Sequence, residues 1–131
     1  MSSASLAVQT LVTAALAAAP GLAPLTGIFD WVAPNAVAPY LTIGADAVTD
    51  WSTKTGVGHE HRVQLSLWDD APGTGRLKVL AAAAEAAVRT VAGTQDGHRV
   101  ASVAFVRAVF VKETTGWMQA ALDFRIRTEV I

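Results

Sequence analysis

Two alternating stretches, two helix-period stretches and the turn residues between them predict an α+β fold: a mainly antiparallel β-sheet with two helices packed on one face. Residues 59–68 place Val63, Leu65 and Leu67 on one side and Glu60, Arg62, Gln64 and Ser66 on the other. Residues 117–130 repeat the pattern, with Met118, Ala120, Leu122, Phe124, Ile126 and Val130 opposed to Gln119, Asp123, Arg125, Arg127 and Glu129. A period of two is what a strand with one wet face requires. The order helix, strands, helix, hairpin keeps the helices apart from the sheet, and 131 residues suit a single domain over 1–131.

The first helix is expected over residues 5–19 with Ser5 as cap, because Val8, Leu11, Val12, Ala15, Leu16 and Ala19 recur at helical spacing. Pro20 and Gly21 stop it. Residues 28–32 are a short apolar run before Pro34 and read as a minor edge strand. Residues 40–45 read as a better strand, with Leu41, Ile43 and Ala45 on one side. A polar loop over residues 47–58 then leads into the alternating strand. Ala71-Pro72-Gly73 turns the chain into the second helix, with Thr74 as cap and Leu77, Leu80, Ala84, Val88 and Val91 as its buried stripe. Gly93 stands where a C-terminal glycine cap belongs. Residues 100–112 are apolar on both faces except at Arg107, which suits a central strand or one covered by a neighbouring subunit. Residues 112–116 make the tight connection to the last strand.

The chain is 52% hydrophobic but only 7% aromatic, so much of its apolar content is alanine. Alanine buries little area, which makes the core thin and favours supplementing it with subunit contacts. Net charge is −1 and the ten basic residues are scattered, so there is no basic stripe of the kind that binds phosphate backbones. The lack of cysteine excludes disulfides and thiol catalysis and suits synthesis in the cytoplasm. The apolar opening segment has no Lys or Arg ahead of it, so the positive region of a signal peptide is missing, and it is too short to span a bilayer.

Candidate chemistry is sparse. His59-Glu60-His61 puts two imidazoles on one strand face, a possible metal pair, but a third ligand is missing unless His98 approaches. The plainer reading has both histidines fringing the core. Gly73-Thr74-Gly75-Arg76 opens a helix whose amides can meet an anion, yet it lacks the spacing of a phosphate loop, and capping explains it. Asp69-Asp70 closes a strand and starts a turn. No nucleophile elbow is present. Neither a catalytic residue, a cofactor site nor a metal site is assigned, and the expectation is a protein that is not an enzyme.

Two features suit partner contact instead. The segment Asp50, Trp51, Ser52, Thr53, Lys54 sets an aromatic in a polar loop, an interface anchor or a core plug. Asp123, Arg125, Arg127 and Glu129 lie on one strand face about 7 Å apart, a charge ladder that either meets water or meets a neighbouring subunit.

Together these segments resemble a known family, the tail-terminator (tail-completion) proteins of long-tailed phages, and most of all the versions encoded by bacterial gene transfer agents. The resemblance rests on the alanine-rich opening helix, Pro39-Tyr40-Leu41-Thr42-Ile43-Gly44 and Thr49-Asp50-Trp51-Ser52-Thr53-Lys54. It continues through Gly58-His59-Glu60-His61, the strand ending at Trp68, and the closing Phe124-Arg125-Ile126-Arg127-Thr128-Glu129. It implies a non-catalytic hexameric ring, a homo-oligomer on the head-proximal end of the tail tube. Its partners would be the tail tube protein and a head-side connector or stopper, with DNA passing through the lumen unread and no membrane involved. Alternative readings are a stopper of the same neck and a small dimeric α+β ligand-binding protein.

Overall fold

A computed structural model describes residues 3–31, 33 and 35–131, together with the backbone but not the side-chain surroundings of Ala45. The elements are α1 (Ala4–Ala18), a 3-10 turn (Pro20–Leu22), β1 (Ile28–Asp30), β2 (Tyr40–Asp50), β3 (Gly58–Asp69), α2 (Gly75–Arg89), β4 (Thr94–Gln95), β5 (His98–Lys112) and β6 (Met118–Val130). They build one six-stranded sheet in the order β1-β2-β3-β6-β5-β4, antiparallel throughout except for the parallel pair β1–β2. The α+β architecture expected from the alternating strands is the one observed.

Both helices lie on one face of the sheet and enclose a single cluster. Val8, Val12 and Leu16 of α1 and Leu77, Leu80, Ala84 and Val88 of α2 meet Leu41, Val63, Leu65, Leu67, Leu122, Phe124 and Ile126 from the three central strands. The alternation in β3 and β6 is therefore a burial pattern, with every inward residue from Met118 to Thr128 covered. Val130, expected on that same inner face, is exposed at the strand's end.

Several local expectations are corrected. Ser3, not Ser5, caps α1: its Oγ accepts the Leu6 N–H at 3.1 Å, while the Ser5 hydroxyl donates to Asp46 at 2.8 Å. Thr74 precedes α2 but makes no side-chain cap; its carbonyl accepts the Lys78 N–H. Gly93 lies beyond the helix end at Thr90, at φ +87°, and its carbonyl accepts from Val100, so it serves the turn into β5. The strand expected over 40–45 runs on to Asp50 through a bulge between Gly44 and Ala47, which shortens the polar loop to a turn. β1 ends at Asp30; Val32, the last residue of that expected strand, the Pro34 after it and the side chain of Ala45 lie outside the described residues. Finally, β5 is not central within this chain. β4 pairs only with His98 and Arg99, leaving the rest of β5 at the margin of the sheet.

Candidate partner interface

The β2–β3 turn is held by its own polar groups. The Trp51 N–H donates to the Gly58 carbonyl (2.9 Å) and the Thr53 N–H to the Gly56 carbonyl (2.8 Å). The Ser52 hydroxyl donates to Asp50 (2.6 Å) and accepts the Gly58 N–H (3.1 Å). These local bonds are the reason a Ser/Thr/Asp-rich run folds as a turn here rather than extending the ladder. Gly58 is required: a Cβ there would lie 2.5 Å from the Trp51 carbonyl oxygen and 3.0 Å from that of Thr128. Trp51 is half-buried, with the Arg127 guanidinium 5.2 Å above its ring. Lys54 projects from the turn and is exposed.

That contact joins the two sequence candidates into one surface. Trp51, Thr53, Gly56, Arg99 and Glu129 line a common groove where the turn meets the end of β6. The ladder itself is largely compensated by neighbouring strands. Asp123 accepts from Arg107 (2.8 Å) and Gln64 (3.1 Å), Glu129 from Arg99 (2.7 Å), and Arg127 donates to Glu60 (2.9 Å). Arg125 is the residue left over. Its Nε is buried without a hydrogen-bond partner, stands 4.0 Å from the already engaged Glu60, and its strand neighbour is Arg62. Like charges directly opposite on a sheet destabilise it. Five arginines against three carboxylates leave this helix-free face positive around Arg62 and Arg125. That Arg99 and Arg107 pair with the ladder and that Arg62 stands beside Arg125 was not read from the sequence, since only strand register reveals it.

At the other end of the same face, Tyr40 anchors an aromatic group. Its ring lies 6.1 Å from Phe29, 6.3 Å from Trp68 and 6.0 Å from Trp117, and the Trp68 indole donates to Thr42 at 3.2 Å. No local pattern points to it, because the four rings come from separate segments.

Two buried polar groups, His61 and Asp69, are engaged structurally. His61 is buried, its Nε2 2.9 Å from the Thr128 hydroxyl, and its pKa falls from 6.5 to about 4, mainly through burial and then through the charges of His59 and His98. The fold does bring the three histidines together, with ring centroids 6.3 Å (His59–His61) and 6.0 Å (His59–His98) apart. Even so, no group of three or more potential ligands among the described residues is arranged to hold a metal ion. Asp69, fully buried, binds Arg76 through both oxygens and accepts the Asp70 N–H; the Arg76 hydrogen bond holds its carboxyl below the usual range. The Gly73-Thr74-Gly75-Arg76 motif thus directs its arginine inward to the strand end. No helix is long and apolar enough to cross a membrane among the described residues.

Comparison with known proteins agrees with this architecture. A chain in the solved structure described as the virion of a native gene transfer agent (GTA) particle superposes with a TM-score of 0.69. It is 27% identical, over 96% of this chain and 94% of that one. No curated protein matches the sequence. The model for the family described as tail completion protein gp17 matches residues 10–129, which bears out the resemblance read from the Thr49–Lys54 and Gly58–His61 motifs. The chain belongs to the tail completion protein gp17 family.

Proposed function

We propose that this protein is a tail terminator: a structural, non-enzymatic component that closes the head-proximal end of a phage-like tail tube. The observation that carries the reading is the family match over residues 10–129. The likeness to a chain of a gene transfer agent virion supports it and points to a particle of that kind. The geometry is compatible with a steric role. A stiff sheet backed by two helices offers one broad helix-free face, and its perturbed groups, His61 and Asp69, are tied to Thr128 and Arg76 inside the fold.

In this reading several copies, six by family resemblance, form a ring. One side of the ring fits the last tube layer and the other meets the head-side connector or stopper. DNA passes through the lumen without sequence readout. The chain is made in the cytoplasm of the producing bacterium and joins the tail there. The Asp50, Trp51, Ser52, Thr53, Lys54 turn, together with Asp123, Arg125, Arg127 and Glu129, is the surface offered to a partner, with Arg62 and Arg125 supplying the positive charge the chain does not balance itself.

Deleting the gene and imaging the particles tests the proposal. Tails of excessive length are expected. Normal-length tails that fail to join heads would assign the protein to the connector instead, and intact particles would refute a role in tail completion.

A further inference from the structure

The sheet has two incompletely covered edges, and they differ in charge. On one side β1 pairs only with residues 41–43 of β2, so residues 44–50 have no strand on the side away from β3 among the described residues. On the other, β4 pairs only with His98 and Arg99, and Val100 is bound by Gly93; residues 101–112 of β5 have no strand on the side away from β6 among the described residues. A long apolar edge strand invites pairing with another chain. β5 has that character, since ten of its residues 100–112 are apolar and none of the thirteen is buried. Its bulges fall between Val100 and Ser102 and between Phe105 and Arg107, so residues 107–112 are the regular portion. On β2 the bulge between Gly44 and Ala47 likewise leaves residues 47–50 regular.

Charge distinguishes these two regular portions. Of the two cations that bound residues 107–112, Arg107 is engaged by Asp123 and Lys112 forms no ion pair among the described residues, whereas Asp46 and Asp50 stand on the edge of β2. Asp30, Asp46 and Asp50 form no ion pair among the described residues, and the first 53 residues contain no Lys or Arg at all. Exposed apolar side chains accompany both edges: Val109, Phe110 and Val111 on the basic one, Val48 and Trp31 on the acidic one.

We propose that residues 107–112 of β5 in one copy dock along residues 47–50 of β2 in the next, so that the sheet continues from subunit to subunit. Main-chain pairing supplies affinity, and the opposed charges fix which edge meets which. Because the two edges are different surfaces, the contact is heterologous, the type that closes a ring and that does not stop at a two-fold dimer. The proposal rests on the ring reading and adds the subunit interface to it.

The test places p-benzoylphenylalanine at Phe110 in particle-producing cells, with the same probe at exposed Val79 of α2 as control, and maps the photo-crosslinked peptides. The expected result is a covalent dimer of this chain linked from position 110 to residues 44–54 of a second copy, absent from the control. A link from β5 to β5, a link to a different protein, or no link would overturn the interface. As a second readout, Asp50→Lys and Lys112→Glu should each lower the amount of this protein in purified particles about tenfold, and the two together should restore it. Failure of rescue also counts against the pairing. If gene deletion lengthens tails while position 110 links elsewhere, only the interface falls; if deletion leaves tails normal, the ring reading falls with it.

Discussion

β5 and β6 run side by side, yet β6 is fully covered by its own chain on one face and β5 only in part. Six residues of β6 are buried, in strict alternation from Met118 to Thr128, and Phe124 and Ile126 are fully enclosed. In β5 nothing after His98 is buried, although its sequence is the more apolar of the two. Val103, Phe105 and Ala108 reach only the margin of the core, and the cationic ends of Lys78 and Arg89 lie 5.6 Å from the rings of Phe110 and Phe105. The difference teaches that β6 was shaped by the domain's own core, while the composition of β5 matches a covering that a second molecule would bring.

The sharpest way to break this comparison is to truncate one aromatic on each strand. Phe124→Ala should lower the stability of the isolated chain by about 3–5 kcal/mol through the cavity it leaves. Phe110→Ala should lower it by about 1 kcal/mol or less, its effect appearing in assembly. Urea melts of the two variants check this, and equal losses would mean that β5 already has a complete environment within the chain.

Acid should act next most strongly, through His61 of β3, which meets Thr128 on the inner face of β6. His61, packed against Thr128, resists protonation down to about pH 4, whereas in the unfolded chain it takes up a proton near 6.5. Stability should therefore fall as pH drops from about 6.5 to about 4, by roughly 3 kcal/mol, with no further loss from this group below that. The side chain of Asp46 partly offsets the shift. Melts of the parent chain and His61→Phe across this range check it; the variant should lose most of the slope.

The smallest expected effect is on the outer face. Arg62→Ala removes the like-charged neighbour of Arg125 and should stabilise the free chain by a few tenths of a kcal/mol. The same change should weaken particle incorporation if the pair meets an anionic partner. A variant that is both less stable and normally incorporated would show that Arg62 serves the fold.

Much of the fold was legible because periodicity reports burial directly. The stripes Val63/Leu65/Leu67 and Leu77/Leu80/Ala84/Val88 are core residues for the reason their spacing suggests. Register was not legible, since nothing local in β3 says that it pairs with β6, and with register went the partners of the ladder: Glu60, Arg99 and Arg107. Side-chain competition was equally hidden. Ser5 and Thr74 both look like caps, but Ser5 is drawn to Asp46, and Ser3 takes the helix end. For the candidate surface, the Trp51 motif was visible from its composition, whereas its contact with Arg127 depends on β3 lying between the turn and β6.

Amide hydrogen exchange, compared between free protein and assembled particles, tests the central claim most directly. Residues 107–112 of β5 and 47–50 of β2 should become strongly protected on assembly, while residues 118–128 of β6, already covered, should change little. Exchange in β5 that is as fast in particles as in the free chain would contradict the account.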